Sequence, residues 1–278
     1  MIRRNAHKYG ISAQCRILGI SRGSYYYEVK PPKDDLVLEE AVQAAFEANR
    51  SLYGSRKLKK VLAKKGITLS RRKICRIMRR LGLESAYTRR KYRKRSKETN
   101  SSPTPNLLDR QFDGRERLAA VVSDLTYVRV GSKWHYVCIL LDLHNREIIG
   151  FSSGAHKDAA LVYSAFASVR INLAHIKMFH TDRGSEFDNM LIDKLLKTFN
   201  ISRSLSLRGC PFDNAVAEAT FKLIKTEFIY RCYFDTPEKL ALELMDYVHW
   251  FNTCRIHSSL DYISPVDFRT NTLSFLSN

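Results

Sequence analysis

The 278-residue sequence has no apolar run of 18 residues or more, so nothing in it is expected to span a membrane. Met1-Ile2-Arg3-Arg4 is not followed by an apolar h-region, so the start does not read as a secretory signal. Cysteine is sparse and scattered. Cys15, Cys75, Cys138, Cys210, Cys232 and Cys254 form no C-x-x-C pair, which argues against a disulfide framework or a zinc site. They are expected to be buried free thiols of a cytosolic protein. The apolar fraction of 44% and charged fraction of 27% exclude a collagen-like, mostly disordered or miniprotein class.

Acidic residues are nearly missing from one stretch. Residues 51–100 hold 19 Lys or Arg against 2 Asp or Glu, whereas 1–50 hold 8 against 6 and 101–278 hold 20 of each. The net charge of +19 therefore lies almost wholly in one segment. A segregated basic module needs a polyanionic partner, and each cation that neutralises a phosphate releases condensed counterions. Double-stranded DNA is the expected partner. An anionic membrane surface fits less well, because these helices lack a large aromatic insertion face.

The charge step and the turn signals divide the chain into five regions. Residues 1–30 read as two short helices, one capped by Ser12 and broken at Gly19, the next capped by Ser21. This is the skeleton of a helix-turn-helix and equally of a plain helical hairpin. Pro31-Pro32 opens a basic helical module over 31–84. Its helices are expected at 35–48, with Leu36, Leu38, Val42, Ala45 and Phe46 near one face, and at 56–65 with Leu58, Val61 and Leu62. A third, at 71–81, follows Ser70 as N-cap and carries Ile74, Ile77, Met78 and Leu81. Arg72, Arg76, Arg79 and Arg80 fall on the opposite face of that last helix. Without acidic partners to balance them, they are read as facing DNA. Residues 85–109 read as a basic flexible linker able to track a phosphate backbone.

From residue 110 the pattern is mixed α/β. Strands are expected at Leu118–Val130, Trp134–Leu143 and Glu147–Ser153, then a helix at Asp158–Ile171 and a strand at Ile176–His180. A helix at Ser185–Phe199, a strand at Ile201–Leu205 and a helix at Asp213–Tyr230 complete a core over 110–230, followed by a helical tail at 231–278.

Asp124 interrupts an apolar strand, and Asp182 directly follows another; carboxylates at strand ends are where ligands collect in α/β sheets. Glu218 lies early on a helix, with 35 residues between it and Asp182. Three such carboxylates from two strands and one helix can converge on two hard divalent cations, Mg²⁺ or Mn²⁺, suited to in-line displacement at phosphorus. Lys225, with Lys222 between it and Glu218, is read as a phosphate contact, and solvated surface pairing is the plainer alternative. Asp213 and Asn214 fit helix capping, and His180 fits a structural hydrogen bond as well as a catalytic role. Asn252, Arg255 and His257 are read as stitching the tail to the core, and Trp134 and Trp250 as core residues.

These segments together resemble the D,D-35-E transposases and integrases, more narrowly the second-reading-frame transposases of the insertion-sequence-three family, which are related to retroviral integrases. The resemblance rests on Tyr53-Gly54-Ser55-Arg56-Lys57-Leu58, Asp124-Leu125-Thr126-Tyr127 and His180-Thr181-Asp182-Arg183-Gly184-Ser185-Glu186-Phe187. It continues with Gly209-Cys210-Pro211-Phe212-Asp213-Asn214-Ala215 before Glu218, Lys225, Phe251 to Leu260, and Ser264-Pro265. Val121 and Ala219 depart from the family pattern, and neither is a metal ligand. The resemblance implies an RNase H-like core in which Asp124, Asp182 and Glu218 hold two Mg²⁺ or Mn²⁺ ions. It implies DNA cleavage followed by attack of a 3′-hydroxyl on a phosphodiester, element ends and target DNA as substrates, and a homo-oligomer on DNA. A fusion partner from an upstream reading frame and a cytoplasmic, nucleoid-associated location in a bacterium follow from it too. A nuclease of the same fold without joining activity, and a non-catalytic DNA-binding regulator, are the alternatives.

Overall fold

A computed structural model describes residues 2–28, 36–87, 104–207 and 211–276. Most of the expected basic linker (88–103), Pro31-Pro32 and Gly209-Cys210 lie outside the described residues. The chain divides into two units, residues 1–40 and 41–278.

The first unit begins with three short helices, α1 (Ile2–Asn5), α2 (Ile11–Ile17) and α3 (Arg22–Tyr26). Ser12 is not the cap expected of it: α2 starts one residue earlier, after Gly10, with no side-chain cap. Ser21 does cap α3, its hydroxyl accepting from Ser24 N–H at 3.0 Å. Gly19 sits between them at φ +65°, a conformation that costs a glycine little.

Helix α4 (Leu36–Ala48) follows and turns Val42, Ala45 and Phe46 inward; Leu36, expected on that face, is exposed. Helix α5 (Ser55–Lys64) buries Leu58 and Leu62, and packs on α6 (Arg71–Arg80), which buries Ile74, Ile77 and Met78. The Ser70 hydroxyl caps α6 by accepting from Lys73 N–H at 3.2 Å.

The core sheet has five strands: β1 (Val121–Val130), β2 (Lys133–Asp142), β3 (Ile148–Gly154), β4 (Met178–Thr181) and β5 (Ser202–Leu205), in the order β3-β2-β1-β4-β5. The first three form an antiparallel meander. The β1–β2 ladder runs from Val121↔Asp142 to Val130↔Lys133 and closes on the two-residue turn Gly131-Ser132, with Gly131 at φ +53°. β4 and β5 join parallel to β1, so each needs a crossover. Helix α7 (Ala159–Ala167), capped by Asp158, supplies the first and α8 (Met190–Thr198) the second. Val121, Cys138, Leu140, Phe166, Phe179 and Leu196 are among the residues that fill the layer between these helices and the sheet. The last residues of the expected flexible linker instead cover the outer edge of β5: Pro105 O accepts from Leu205 N–H, and Ser204 Oγ accepts from Leu107 and Leu108 N–H.

Helix α8 starts at Met190, five residues later than expected, because Asn189 caps it by accepting from Ile192 N–H at 3.1 Å. Helix α9 (Ala215–Ile224) becomes a π-helical turn at Lys225–Ile229. The tail consists of α10 (Pro237–Thr253), which packs on β3, and α11 (Pro265–Leu276). Asn252 does tie tail to core, accepting from Ile148 N–H at 2.9 Å and donating to Ile148 O at 2.8 Å. The Arg255 guanidinium clasps Glu227 of the π turn, with both side chains buried and bonds of 2.6–3.0 Å. Among the described residues no helix is long and apolar enough to cross a membrane.

Three expectations need correction. Cys75 and Cys254 are exposed, because each sits on the outer side of its helix end or face, whereas Cys15 and Cys138 are buried. Trp250 is core, but Trp134 is 51% exposed because it pairs across the ladder with Arg129 on an uncovered part of the hairpin. Asp213 and Asn214 do not cap α9 through their side chains. Asp213 instead accepts from Arg110 Nε at 2.7 Å and from Leu207 N–H at 2.9 Å, bracing the approach to the helix.

Candidate active site

The parallel pairing of β1 with β4 puts Val122 opposite His180. Carrying that register two residues further sets Asp124, the fourth residue of β1, across from Asp182, just past the carboxyl end of the parallel strand β4. Asp124 is half-buried, and its Oδ1 accepts from Leu125 N–H at 2.7 Å. Asp182 is more open, and its Oδ1 accepts from Gly184 N–H at 3.0 Å, which shapes the turn leaving β4. Glu218 is exposed in the first turn of α9, which packs on β1. Asn214 ties the start of that helix to the strand, donating to Ser123 O at 3.4 Å, one residue before Asp124.

Two of the carboxylates act on the third. Burial first, then the charges of Asp182 and Glu218, push the Asp124 carboxyl up to about 7. The Leu125 N–H and the Lys225 ammonium oppose the rise. Asp182 is also raised, first by burial and then by the Glu186 carboxylate, against its Gly184 hydrogen bond and Lys157. Lys225 thus lies within electrostatic reach of Asp124, and its Nζ stands 5.5 Å from the Tyr127 ring centre. Lys222, one turn earlier, is exposed.

Two further residues enter this cluster: Lys157, absent from the sequence reading, and Glu186, named there only as part of the segment after β4. Lys157, just before α7, pairs with Glu186 at 2.9 Å, and the charges of Glu186, Asp182 and Asp124 all favour its protonated form although burial opposes it. Glu186 is buried, and its carboxylate lies where a side chain on Gly184 would sit, so a larger residue there would have to displace it. Nothing local marks Lys157; its one signal is a lone cation in the turn after a strand. His180, by contrast, is structural. It is fully buried between Ser204 Oγ at 2.8 Å and Ser206 Oγ at 3.1 Å, and burial lowers its imidazole to about 4.

The donor set is chemically suited to a hard divalent cation, being all carboxylate oxygen. Asp124 is destabilised as an anion by its neighbours, which such a cation relieves. The side chains do not form a closed cage: among the described residues no group of three or more His, Cys, Asp or Glu is gathered tightly enough to hold an ion.

Arg72, Arg76 and Arg79 are brought together away from this cluster. With Arg71 and Cys75 they line an open groove of about 580 Å³ on the outer face of α6. Arg80 is exposed on the same helix but does not line the groove.

The chain is similar to known proteins along nearly all of its length. Residues 115–211 and 218–273 match models described as integrase core domain, and residues 32–92 match an HTH-like domain. The chain is 29% identical over 236 residues to the transposase for insertion sequence element IS904 of Lactococcus lactis, covering 84% of this chain and 93% of the relative. It is 28% identical over 289 residues to transposase InsF for insertion sequence IS3A of Escherichia coli, covering 98% of each. Among solved structures it is similar to the HTLV-2 integrase catalytic core domain in complex with magnesium, at 16% identity and TM-score 0.42, over 52% of this chain and 93% of that one. The chain is thus similar to IS3-family-related transposases and integrases, with a mixed α/β, RNase H-like core preceded by a helix-turn-helix-type helical module.

Proposed function

We propose that this protein is the transposase of a bacterial insertion sequence, cutting DNA at element ends and joining the freed 3′-hydroxyl to target DNA. What supports this reading is the β1–β4 register that sets Asp124 across from Asp182, with Glu218 in the first turn of the helix packed on β1 and the charges of both acting on Asp124. In the joining step the 3′-oxygen forms a bond to phosphorus as the phosphodiester's other oxygen leaves, so the number of phosphodiester bonds is conserved. No protein nucleophile is required.

Asp124, Asp182 and Glu218 would hold Mg²⁺ or Mn²⁺. When bound, two such ions activate the attacking oxygen and stabilise the leaving one. Lys225 is the phosphate contact beside the carboxylates, with Lys222 further along the helix. Arg72, Arg76, Arg79 and Arg80 present positive charge to a DNA backbone, and their groove has no acidic side chain in its lining. In this reading residues 1–30 and 31–84 bind element ends, 85–109 track the backbone, 110–230 perform the chemistry and 231–278 buttress the core. The protein acts as a homo-oligomer bridging two DNA ends in the bacterial cytoplasm, at the nucleoid, alone or fused to an upstream-frame product.

The test is an oligonucleotide assay with the element's own ends and Mg²⁺ or Mn²⁺, comparing wild type with Asp182→Asn. Cleavage and joining that vanish in the variant are expected. Cleavage without joining identifies a nuclease of the same fold, and binding without cleavage by either protein refutes an autonomous transposase.

A further inference from the structure

The far end of the β1–β2 hairpin carries an aromatic pair that the core does not use. Alternation along β1 buries Val128 and Val130 and turns Tyr127 and Arg129 outward. The ladder pairs Arg129 with Trp134, so Tyr127, Arg129 and Trp134 share one face. Tyr127 is 59% exposed and Trp134 51% exposed. Their rings meet edge to face, with centres 5.2 Å apart. Two cations sit over them: the Arg129 guanidinium 5.3 Å from the Trp134 ring and the Lys225 ammonium 5.5 Å from the Tyr127 ring.

Two large aromatic rings held in water on a rigid hairpin are a costly surface unless something covers them. The covering group must be flat, to lie on an aromatic face, and must carry negative charge, to meet Arg129 and Lys225. A nucleotide whose base is unpaired has both properties, whereas a base inside a duplex has its face occupied by its neighbours. An acidic protein segment satisfies the charge but not the flat stacking face.

Position narrows the ligand further. Lys225 touches Tyr127 on one side and acts on Asp124 on the other, so the platform borders the carboxylates. Tyr127 lies three residues beyond Asp124, about 10 Å of rise along β1 and on the opposite face of that strand, with Lys225 reaching both; about three stacked nucleotides cover that rise.

We propose that Tyr127 and Trp134 form a stacking platform for an unpaired base about three nucleotides from the phosphate that reacts at the carboxylates, with Arg129 and Lys225 holding the intervening backbone. The proposal rests on the activity proposed above and adds a requirement it does not contain: DNA locally unpaired beside the reacting phosphate.

The test measures binding of the full chain, with a metal chelator present so that no DNA is cut. Fluorescence anisotropy compares a mixed-sequence duplex that is blunt with the same duplex ending in about three unpaired nucleotides. Wild type is expected to bind the tailed DNA about tenfold more tightly, as stacking of one base implies. Tyr127→Ala and Trp134→Ala should bring the ratio of the two affinities near one, while Tyr127→Phe and Trp134→Phe keep it. Arg76→Ala should weaken both DNAs in parallel and leave the ratio in place. A 2-aminopurine in the tail should be quenched by wild type and not by the alanine variants.

Equal affinity of wild type for the two DNAs, or a preference that survives both alanine substitutions, overturns the platform and leaves the proposed transposase activity standing. Failure to bind either DNA overturns both. Alanine variants that change the sedimentation of the protein but not the affinity ratio mark this face as a protein contact and also overturn the inference.

Discussion

Replacing Arg255 by methionine strands a carboxylate in the interior. Glu227 is 4% exposed and accepts from Arg255 Nε at 3.0 and 2.8 Å, from Arg255 Nη2 at 2.6 Å and from the Tyr247 hydroxyl at 3.0 Å. Arg255 also reaches the Tyr87 hydroxyl at 3.3 Å and the His257 ring at 3.1 Å. Methionine keeps most of the stem volume but leaves Glu227 with one hydrogen bond and no counter-charge. Removing one partner of a buried pair costs about 3–5 kcal/mol, because the remaining charge is desolvated without compensation. For a chain of this size that is a fall of about 6–20 °C in melting temperature. Glu227→Gln, which keeps the Tyr247 contact and leaves the guanidinium unpaired, should cost a similar amount. The double variant carries no buried charge, so it should be more stable than the sum of the singles predicts by at least about 2 kcal/mol. Thermal and guanidinium unfolding followed by circular dichroism measures all four proteins. A cost below about 1 kcal/mol for Arg255→Met, or strict additivity in the cycle, refutes the argument that this pair holds the tail to the π turn after α9.

Asp124→Asn should stabilise the metal-free protein near pH 8. The carboxyl is raised from 3.8 to about 7, so its charged form destabilises the fold; the cost is complete above the folded value and absent below the unfolded one. The gain should be about 2–4 kcal/mol at pH 8 and vanish near pH 4 in melts recorded with chelator. Adding Mg²⁺ should raise the melting temperature of wild type more than that of the variant. Arg76→Ala should reduce the slope of log affinity for DNA against log salt by about one, and equally for unrelated sequences, as titrations at several salt concentrations will show. Gly150→Ala should cost about 1–3 kcal/mol. Its Cβ would meet Ala165 O at 2.5 Å and Val169 Cγ2 at 2.7 Å where α7 lies on β3, and the denaturation midpoint reads the loss.

The sheet and the carboxylates were legible because each depends on local pattern or on its violation. Alternation along Val121–Val130 and the apolar runs of β2 and β4 place the strands to within a few residues, and Asp124 is visible as a carboxylate where the pattern calls for an apolar side chain. What stayed hidden depends on partners distant in the chain. The choice of Asp213 to bind Arg110 rather than cap α9, and the pairing of Lys157 with Glu186, are settled by packing across loops. Period-two alternation shows that Trp134 shares a face with Arg129 but not that nothing covers that face.

Helix α9 shows how the two kinds of information combine. An α-helical phase carries α9 from Glu218 through Ile224, so Lys225 follows seven residues later on the same side, as the spacing implies. A continued α-helix does not readily bury three successive residues, yet Glu227, Phe228 and Ile229 are all buried. The π turn resolves this by widening the helix at that point. Phe228 stacks on Tyr247 with ring centres 5.0 Å apart, and Glu227 turns inward to Arg255, 28 residues away. The change of phase at Lys225 therefore separates two duties of one helix. Before it the side chains serve the carboxylate cluster; after it they fasten the helix to the tail. Only the first duty is written in local spacing, because the second is defined by an arginine that the sequence places on another element.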